Sequence, residues 1–194
     1  AVFSTSKDNI PYYFTSTNDV KYTDNGAGQY IARGVIIKEG LKTSSSYIKN
    51  SEDSDQKFII PSNTVDTTTL DVRVQTSITD QSGSNKPWLL SDDFNRLTSS
   101  SRVYFLQEVE NGQFEIYFGD GIVGKGLDDS NLVTVSYIST NGSVANGIGN
   151  ADKSTARTFT YVNSPTYDVA VTVAAMGGDA PESIDSIIYM APRF

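Results

Sequence analysis

The hydrophobic positions of this chain recur mostly at every second residue, which is the period of a β-strand. Residues 70–78 show this most clearly, since Leu70, Val72, Val74 and Thr76 fall on one face and polar residues separate them. Side chains of a strand point alternately to its two faces. The pattern therefore predicts a half-buried strand.

Two further strand-like runs, residues 102–108 and 113–118, flank the tripeptide Glu110-Asn111-Gly112. Asn and Gly both tolerate positive φ, so a short connection of this kind predicts a hairpin. Residues 132–139 alternate in the same way and predict the next strand. We therefore expect residues 102–139 to form a three-stranded meander.

Other runs of branched and aromatic residues are also typical of strands. They are residues 29–42, interrupted near Gly34 or Gly40, and residues 57–60, 158–162 and 168–175. Two stretches between the strands are polar, residues 43–56 and 140–156. We expect the first to be a mobile loop and the second, which is rich in Gly, to be a loop or arm outside the core.

Two short helices are predicted as well. Ser91 is a candidate N-cap, with Asp92 and Asp93 in the first turn, where the helix dipole favours acidic side chains. Near the C-terminus, Pro181 precedes three isoleucines at the spacing of one helix face. These are Ile184, Ile187 and Ile188.

The expected fold is mainly β, an antiparallel meander or sandwich-like arrangement, with one or two short helices including a C-terminal one. If the short helices are counted, the fold class is α+β. We expect an N-terminal β subdomain at residues 1–85, a β-meander subdomain with the Gly-rich arm at 86–180, and the helix at 181–194, unless one continuous domain spans them. The composition agrees, because 16 Val and 15 Ile stand against 8 Leu.

The residue types that are missing exclude several kinds of chemistry. The 194 residues include no Cys and no His, so there is no disulfide, thiolate nucleophile, Ser-His-Asp triad or ordinary zinc site. The net charge is −8 and the basic residues are scattered, which argues against nucleic acid as a partner. No apolar run approaches the roughly 18 to 20 residues of a membrane span. The start lacks the pattern of a signal peptide and an initiator Met, so we expect a processed product or a piece of a longer protein.

Three acidic turns are candidates for calcium ligands: Asp24-Asn25-Gly26, Asp120-Gly121 and Asp128-Asp129. None has the donor spacing of a calcium loop, so we interpret them as turn formers. Residues 118–126 (FGDGIVGKG) resemble a phosphate loop only loosely, because no Ser or Thr follows the Lys and an Asp stands among the glycines. We expect no catalytic, cofactor-binding or metal-binding residues.

Several motifs occur together in a fixed order. Residues 102–149 contain a VYFLQE strand, an NGQFEI hairpin, an FGDGIVGK turn, a VTVSY strand and an NGIG loop. They are preceded by IPSNTVDTTTLDV at residues 60–72 and followed by MGGDAPESIDSIIYMAP at residues 176–192. This ordered set resembles the baseplate J-like family of baseplate wedge proteins from contractile-tailed bacteriophages. One departure is Ala180-Pro181 before Glu182, which lengthens the family's turn.

The resemblance implies a non-catalytic structural part of a phage tail baseplate wedge, a fragment of a longer chain, located in the virion and assembled in the host cytoplasm. Its partners would be itself, as a homodimer or ring in the assembled baseplate, and other wedge proteins, with no nucleic acid, cofactor or small-molecule substrate. The family's motif turn corresponds to Phe118, Gly119, Asp120, Gly121, Gly124 and Lys125.

The candidate contact regions are the two polar stretches and the stripe of Ile184, Ile187 and Ile188, which has packing on its own domain as the alternative. Two other functions remain open. One is a carbohydrate-binding or adhesin-like β domain of a tail fibre or cell surface, in which Tyr12, Tyr13 and Tyr22 would serve as platforms. The other is a polysaccharide-degrading enzyme that uses two carboxylates.

Overall fold

The computed structural model describes residues 1–53, 56–84, 86–149, 159–162 and 169–179. Within these ranges the chain forms thirteen strands, two single-turn 3-10 helices at Glu110–Gly112 and Gly142–Ala145, and no α-helix. The strands are β1 (Val2–Lys7), β2 (Ile10–Ser16), β3 (Thr23–Asp24), β4 (Tyr30–Ile31), β5 (Ile37–Glu39), β6 (Leu41–Ile48), β7 (Phe58–Ile60), β8 (Val65–Gln75), β9 (Pro87–Leu90), β10 (Val103–Glu108), β11 (Phe114–Phe118), β12 (Leu132–Ser139) and β13 (Thr160–Tyr161).

The expectation of an α+β fold with short helices is wrong, and the protein is mainly β. The hydroxyl of Ser91 donates to the carbonyl of Asp93 at 3.1 Å instead of capping a helix, and the carboxylate of Asp93 accepts a bond from the backbone N–H of Asn95 at 2.9 Å. Local bonds of this kind stabilise an irregular loop in competition with a helix. The helix predicted at residues 181–194 lies outside the described residues.

Two compact units make up the chain, one of Leu41–Thr140 and one of Ala1–Gly40 with Asn141–Phe194, of which the described residues are considered below. The boundary expected near residue 85 does not coincide with this division. It falls between β8 and β9, which pair with each other through Val72 and Trp88.

The unit of Leu41–Thr140 contains a seven-stranded sheet in the order β6-β12-β8-β9-β10-β11-β7. Its neighbours are antiparallel except β9 and β10, which run parallel. β12 occupies the same residues that the alternation predicts. It pairs along its length with β6 on one side and with β8 on the other.

The expected meander of residues 102–139 is therefore wrong in its third strand. β10 and β11 do form the predicted hairpin, and Tyr104 pairs with Phe118. The next neighbour of β11 is β7, through Ile116 and Phe58, whereas β12 lies four positions away from β11 in the strand order, between β6 and β8. Thirteen residues separate β11 from β12, enough chain to carry β12 away from the hairpin.

One hydrophobic core fills the inside of this sheet. Six of the seven strands contribute buried side chains, and β6 adds the partly buried Tyr47. The alternating residues Val72 and Val74 of β8 face this core as their period predicts. The other buried members are Phe58, Ile60, Trp88, Tyr104, Ile116, Val133, Val135 and Tyr137.

The sheet curls until its two end strands approach each other, which makes it nearly closed and barrel-like. Side chains bridge the remaining gap. The hydroxyl of Tyr47 on β6 donates to the carbonyl of Ile59 on β7 at 2.6 Å, and the rings of Tyr47 and Phe58 lie edge to face, 5.7 Å apart. Beyond β6, the amide of Gln56 donates to Ile48 O and accepts from Asn50 N. These bonds occupy backbone groups that an open sheet edge would leave exposed.

The second unit contains an antiparallel sheet in the order β13-β1-β2-β5. β1 and β2 are joined by Asp8 and Asn9, both at positive φ, as two-residue hairpin turns require. A separate ribbon of β3 and β4 follows β2. Its tip is held by Asn25, whose side-chain carbonyl accepts bonds from the backbone N–H groups of Ala27 and Gln29.

The described part of the predicted Gly-rich arm is not an arm. In residues 140–149, Ala145 and Ile148 are 4% and 0% exposed and pack with Tyr12, Phe14 and Phe159 in the core of this unit. The expectation of a loop outside the core is wrong here, because the chain turns at Gly147, which has φ +82°, and places Ala145 and Ile148 in the core.

Candidate functional site

The turn that carries the most specific motif, residues 118–126, follows β11 directly and is called the 118–126 turn below. Its first residue, Phe118, is half-buried and lies edge to face with Trp88 at 5.1 Å and with Phe58 at 5.5 Å. Aromatic pairs in this geometry add to the energy of simple burial. The turn is thus anchored to the core at its start.

Asp120 organises the backbone of the turn. Its Oδ1 accepts hydrogen bonds from Ile122 N at 2.8 Å and from Val123 N at 2.9 Å. The bonds from Val123 and then Ile122 hold the pKa of Asp120 below its ordinary value of 3.8. Because the carboxylate of Asp120 occupies these two N–H groups, they are not directed at a ligand such as a phosphate. Residues 118–126 therefore form a sharply turned connection between strands, although their sequence loosely resembles a phosphate loop.

The glycines of the turn are required by close approach and by positive φ. A Cβ on Gly119 would lie 2.4 Å from Val123 O and from Gly124 C, which no side chain can do. Gly124 has φ +82°, and a Cβ there would lie 3.0 Å from Cγ2 of Val103. Gly121 has φ +87° and donates its N–H to Gly124 O at 3.1 Å. The motif glycines thus allow the turn to fold back on itself.

Lys125 and Ile122 complete the turn. The backbone N–H of Lys125 donates to Ser101 O at 2.8 Å, which ties the end of the turn to the segment before β10. Ile122 stands at the tip with 77% of its surface exposed. The motif therefore forms a hydrogen-bonded turn in which the apolar side chain of Ile122 is exposed to solvent.

A second pair of motif segments meets in the other unit. Nδ2 of Asn146, from the NGIG loop, donates to Gly178 O at 2.7 Å, and Gly178 N donates back to its Oδ1 at 3.0 Å. A Cβ on Gly178 would lie 2.4 Å from Gly142 O. The sequence motifs include Asn146 and Gly178 without indicating that the two residues meet. Only the structure shows that the asparagine and the glycine are partners.

Of the candidate calcium ligands, Asp24 and Asp120 bond locally, as turn formers do: Asp24 Oδ1 accepts from Gly26 N at 2.8 Å, and Asp120 Oδ1 accepts from Ile122 N. Asp129 instead joins two loops, because its Oδ1 accepts from the distant Ser51 N at 2.9 Å. The bond from Ser51 is the main reason that the pKa of Asp129 is lowered. Among the described residues, no group of three or more acidic side chains is placed to hold a metal ion.

The structure places some of the residues that the sequence suggested as contact regions or as carbohydrate platforms. Tyr12 is 4% exposed and belongs to the core, whereas Tyr13 and Tyr22 are exposed. The predicted loop at residues 43–56 begins as strand, because β6 continues to Ile48, so that part of the prediction is wrong. The stripe of Ile184, Ile187 and Ile188 lies outside the described residues.

Two exposed apolar groups were not indicated by the sequence motifs. Phe94 is 61% exposed beside β10, and Ile36 is 72% exposed before β5. The sequence provides little indication that they would be exposed, because Phe94 stands among polar residues and Ile36 belongs to a run that is typical of a buried strand.

No described helix has the length and apolar character needed to cross a membrane.

Comparison with known proteins finds a similarity to a phage baseplate protein. Over 107 residues the chain is 32% identical to baseplate wedge protein gp6 of Enterobacteria phage T4. The match covers 46% of this chain and 16% of that protein, so the chain spans only a small share of its relative. No protein-family model matches the sequence. The identity supports a relation to a baseplate wedge protein.

Proposed function

We propose that this chain is a structural, non-catalytic component of a phage tail baseplate wedge, located in the virion. The identity of 32% to a baseplate wedge protein is the observation that carries the proposal. The chain would be one piece of a longer wedge protein. It would contribute docking surfaces that join it to copies of itself and to other wedge proteins.

The geometry of the motif residues supports a structural role. In the 118–126 turn, Asp120 bonds to backbone N–H groups and the glycines permit close approach. In the other unit, Asn146 and Gly178 bond to each other. Each of these residues fixes the path of the backbone. A part that transmits force through its neighbours needs such fixed loops and needs no reactive group.

Reconstitution tests this proposal. The chain is mixed with the proteins encoded beside it in its source genome, and the mixture is analysed by sedimentation velocity. We expect at least one complex that is absent from each protein alone. A chain that remains separate from every neighbouring product, and instead releases reducing sugar from a polysaccharide, would overturn the proposal in favour of an enzyme.

A further inference from the structure

Four Asn-Gly dipeptides occur in this chain, at residues 25–26, 111–112, 141–142 and 146–147. An Asn before a Gly can react with its own backbone, because glycine has no Cβ to hinder the approach of its nitrogen to the Asn side chain. That nitrogen is an intramolecular nucleophile, held close to the carbon that it attacks. The structure holds the four asparagines differently, so it determines which of them reacts.

The reaction is a deamidation, and water is its only co-reactant. The backbone nitrogen of the Gly loses its proton and attacks Cγ of the Asn, and the side-chain nitrogen leaves as ammonia. A five-membered succinimide ring results. Water then adds to one of the two ring carbonyls and breaks its bond to nitrogen, which leaves either an aspartate or an isoaspartate. No oxidant or reductant takes part.

Asn146 is held at both of the groups that would react. Its Nδ2 donates to Gly178 O at 2.7 Å, and its Oδ1 accepts from Gly178 N at 3.0 Å. The nucleophile, the nitrogen of Gly147, donates its N–H to Ala175 O at 2.8 Å. Asn146 and Gly147 are also half-buried. All three hydrogen bonds must break before this pair can form a succinimide.

Two further asparagines are held by their side chains. Nδ2 of Asn25 donates to Gln29 Oε1 at 2.9 Å, and the N–H of the glycine after it donates to Asp24 Oδ1 at 2.8 Å. Nδ2 of Asn141 donates to Glu39 Oε1 at 2.7 Å. In both cases the amide must leave its partner before Cγ can turn toward the glycine nitrogen.

Asn111 differs from these three, because its side chain has no hydrogen-bond partner among the described residues. It is exposed at the tip of the hairpin of β10 and β11, with φ +62° in the single 3-10 turn of Glu110–Gly112. Hydrogen-bond geometry in such turns is poor. Opening of this one exposed turn is therefore enough to let the nitrogen of Gly112 reach Cγ of Asn111.

We propose that Asn111 is the first of the four asparagines to deamidate in the folded chain. The other three are protected, because their hydrogen bonds must open before Cγ and the glycine nitrogen can meet. This modification site goes beyond the proposed structural function and does not depend on it.

Deamidation at Asn111 changes both the charge and the backbone of the hairpin. The new carboxylate stands beside Glu110, in a chain whose net charge is already −8. An isoaspartate also adds a carbon atom to the backbone of the turn, where Val109 N donates to Gln113 O at 2.8 Å. We expect the pairing of β10 with β11 to loosen near this tip, because the turn geometry fixes the register of a hairpin.

Peptide mapping of the full chain during incubation at mildly alkaline pH tests the proposal. Mass spectrometry measures at each dipeptide the replacement of the amide by a carboxylate, and four synthetic peptides of the same local sequences provide the unrestrained rates. We expect Asn111 to react close to the rate of its peptide, and Asn146 to react slower than its peptide by about tenfold or more, since three hydrogen bonds hold it. Equal slowing at all four sites, or faster reaction at Asn146 than at Asn111, would overturn the proposal.

Two variants provide matched controls. Glu39→Ala removes the partner of Asn141, so reaction at Asn141 should accelerate toward its peptide rate while reaction at Asn111 stays unchanged. Asn111→Gly removes the reactive amide and keeps the turn, because glycine adopts positive φ without strain. Isoelectric focusing of the incubated variant should then lack the main acidic species of the wild-type chain. The same acidic species at the same rate in Asn111→Gly would overturn the proposal, whether or not Glu39→Ala folds.

Discussion

The hydroxyl of Tyr47 donates a hydrogen bond of 2.6 Å to the carbonyl oxygen of Ile59 and so connects the two end strands of the seven-stranded sheet. Six pairs of neighbouring strands hold the sheet together, but β6 and β7 do not pair with each other. The side chain of Tyr47 instead joins β6 to β7 by contacting Ile59 and Phe58. The closure of the sheet therefore depends on individual residues that can be changed without altering any strand.

Tyr47→Phe removes this hydroxyl and keeps the ring that packs against Phe58. We predict a loss of about 1 kcal/mol in the free energy of unfolding, because Ile59 O then lacks its partner. Urea unfolding followed by the fluorescence of Trp88, a core residue of the same unit, measures the loss. Tyr30→Phe, at a tyrosine that is 69% exposed, is the control and leaves stability unchanged.

The burial of the Tyr47 hydroxyl predicts a dependence of stability on alkaline pH. Burial raises the pKa of Tyr47 above its ordinary value of 10.0, despite a side-chain hydrogen bond with Ser45 that lowers it. A raised pKa means that the folded state favours the neutral hydroxyl. The stabilisation is therefore complete below pH 10 and decreases as the pH rises through the raised value. The variant Tyr47→Phe should lack this part of the loss of stability at alkaline pH. If stability depends on alkaline pH in the same way in the variant and in the wild-type protein, the raised pKa is not that of Tyr47.

Gly119→Ala tests the close approach in the 118–126 turn. Its Cβ would collide with Val123 O and Gly124 C at 2.4 Å, so the backbone must move. We predict a destabilisation of about 1–3 kcal/mol, typical of overpacking. Gly126→Ala is the matched control, since its Cβ would meet its nearest atom, Gly119 O, at 3.4 Å. Equal stability of the two variants in thermal unfolding would show that the turn is not packed as described.

Asp120 predicts a dependence on acid pH of the opposite sign. Its pKa is lowered by the N–H bonds from Val123 and Ile122, so its contribution is present above pH 3.8 and is lost as the pH falls through the lowered value. Asp120→Asn keeps an oxygen that can accept both bonds but cannot titrate, so its stability should vary less with acid pH than that of the wild-type protein. Asp120→Ala loses the bonds themselves and should be less stable at pH 7. Asp80 and Asp129 also have lowered pKa values and contribute in both variants.

Ile148→Ala tests whether the Gly-rich stretch belongs to the core of its unit. Ile148 is fully buried, so we predict a loss of about 2–5 kcal/mol. Val144, four residues earlier, is 59% exposed, and Val144→Ala should change stability by no more than about 0.5 kcal/mol. Hydrogen exchange in peptides from residues 1–40 measures both. A mobile arm would give the two variants the same protection.

Local structure could be predicted from this sequence wherever one face of a strand is buried and the other is polar. Val72 and Val74 are buried as their alternation indicates, and the hairpin at Asn111-Gly112 forms because both residues adopt positive φ. The interruption of residues 29–42 occurs at both predicted glycines, Gly34 and Gly40.

The longer-range arrangement could not be predicted from the same signals. β12 has the period of a strand, but period does not specify a neighbour, and its partners β6 and β8 are distant in sequence. The helix predicted at Ser91 does not form, because a Ser followed by two Asp residues favours a helix cap and an irregular turn equally well. Ile148 was assigned to an arm because its neighbours are small and polar, although contact with Phe14 and Phe159 buries it.

The motif indicates which residues form the 118–126 turn, but it does not indicate what they contact. The motif residues of the 118–126 turn are those that the structure shows to fix the backbone. The exposed apolar side chains of Phe94 and Ile36 have no motif, because their exposure follows from how distant segments are brought together.

Mass spectrometry of purified tail baseplates from particles of the source genome tests the central claim most directly. The account predicts peptides of this chain in the baseplate fraction, at the same copy number per particle as other wedge proteins. Particles whose baseplates contain none of these peptides would contradict it.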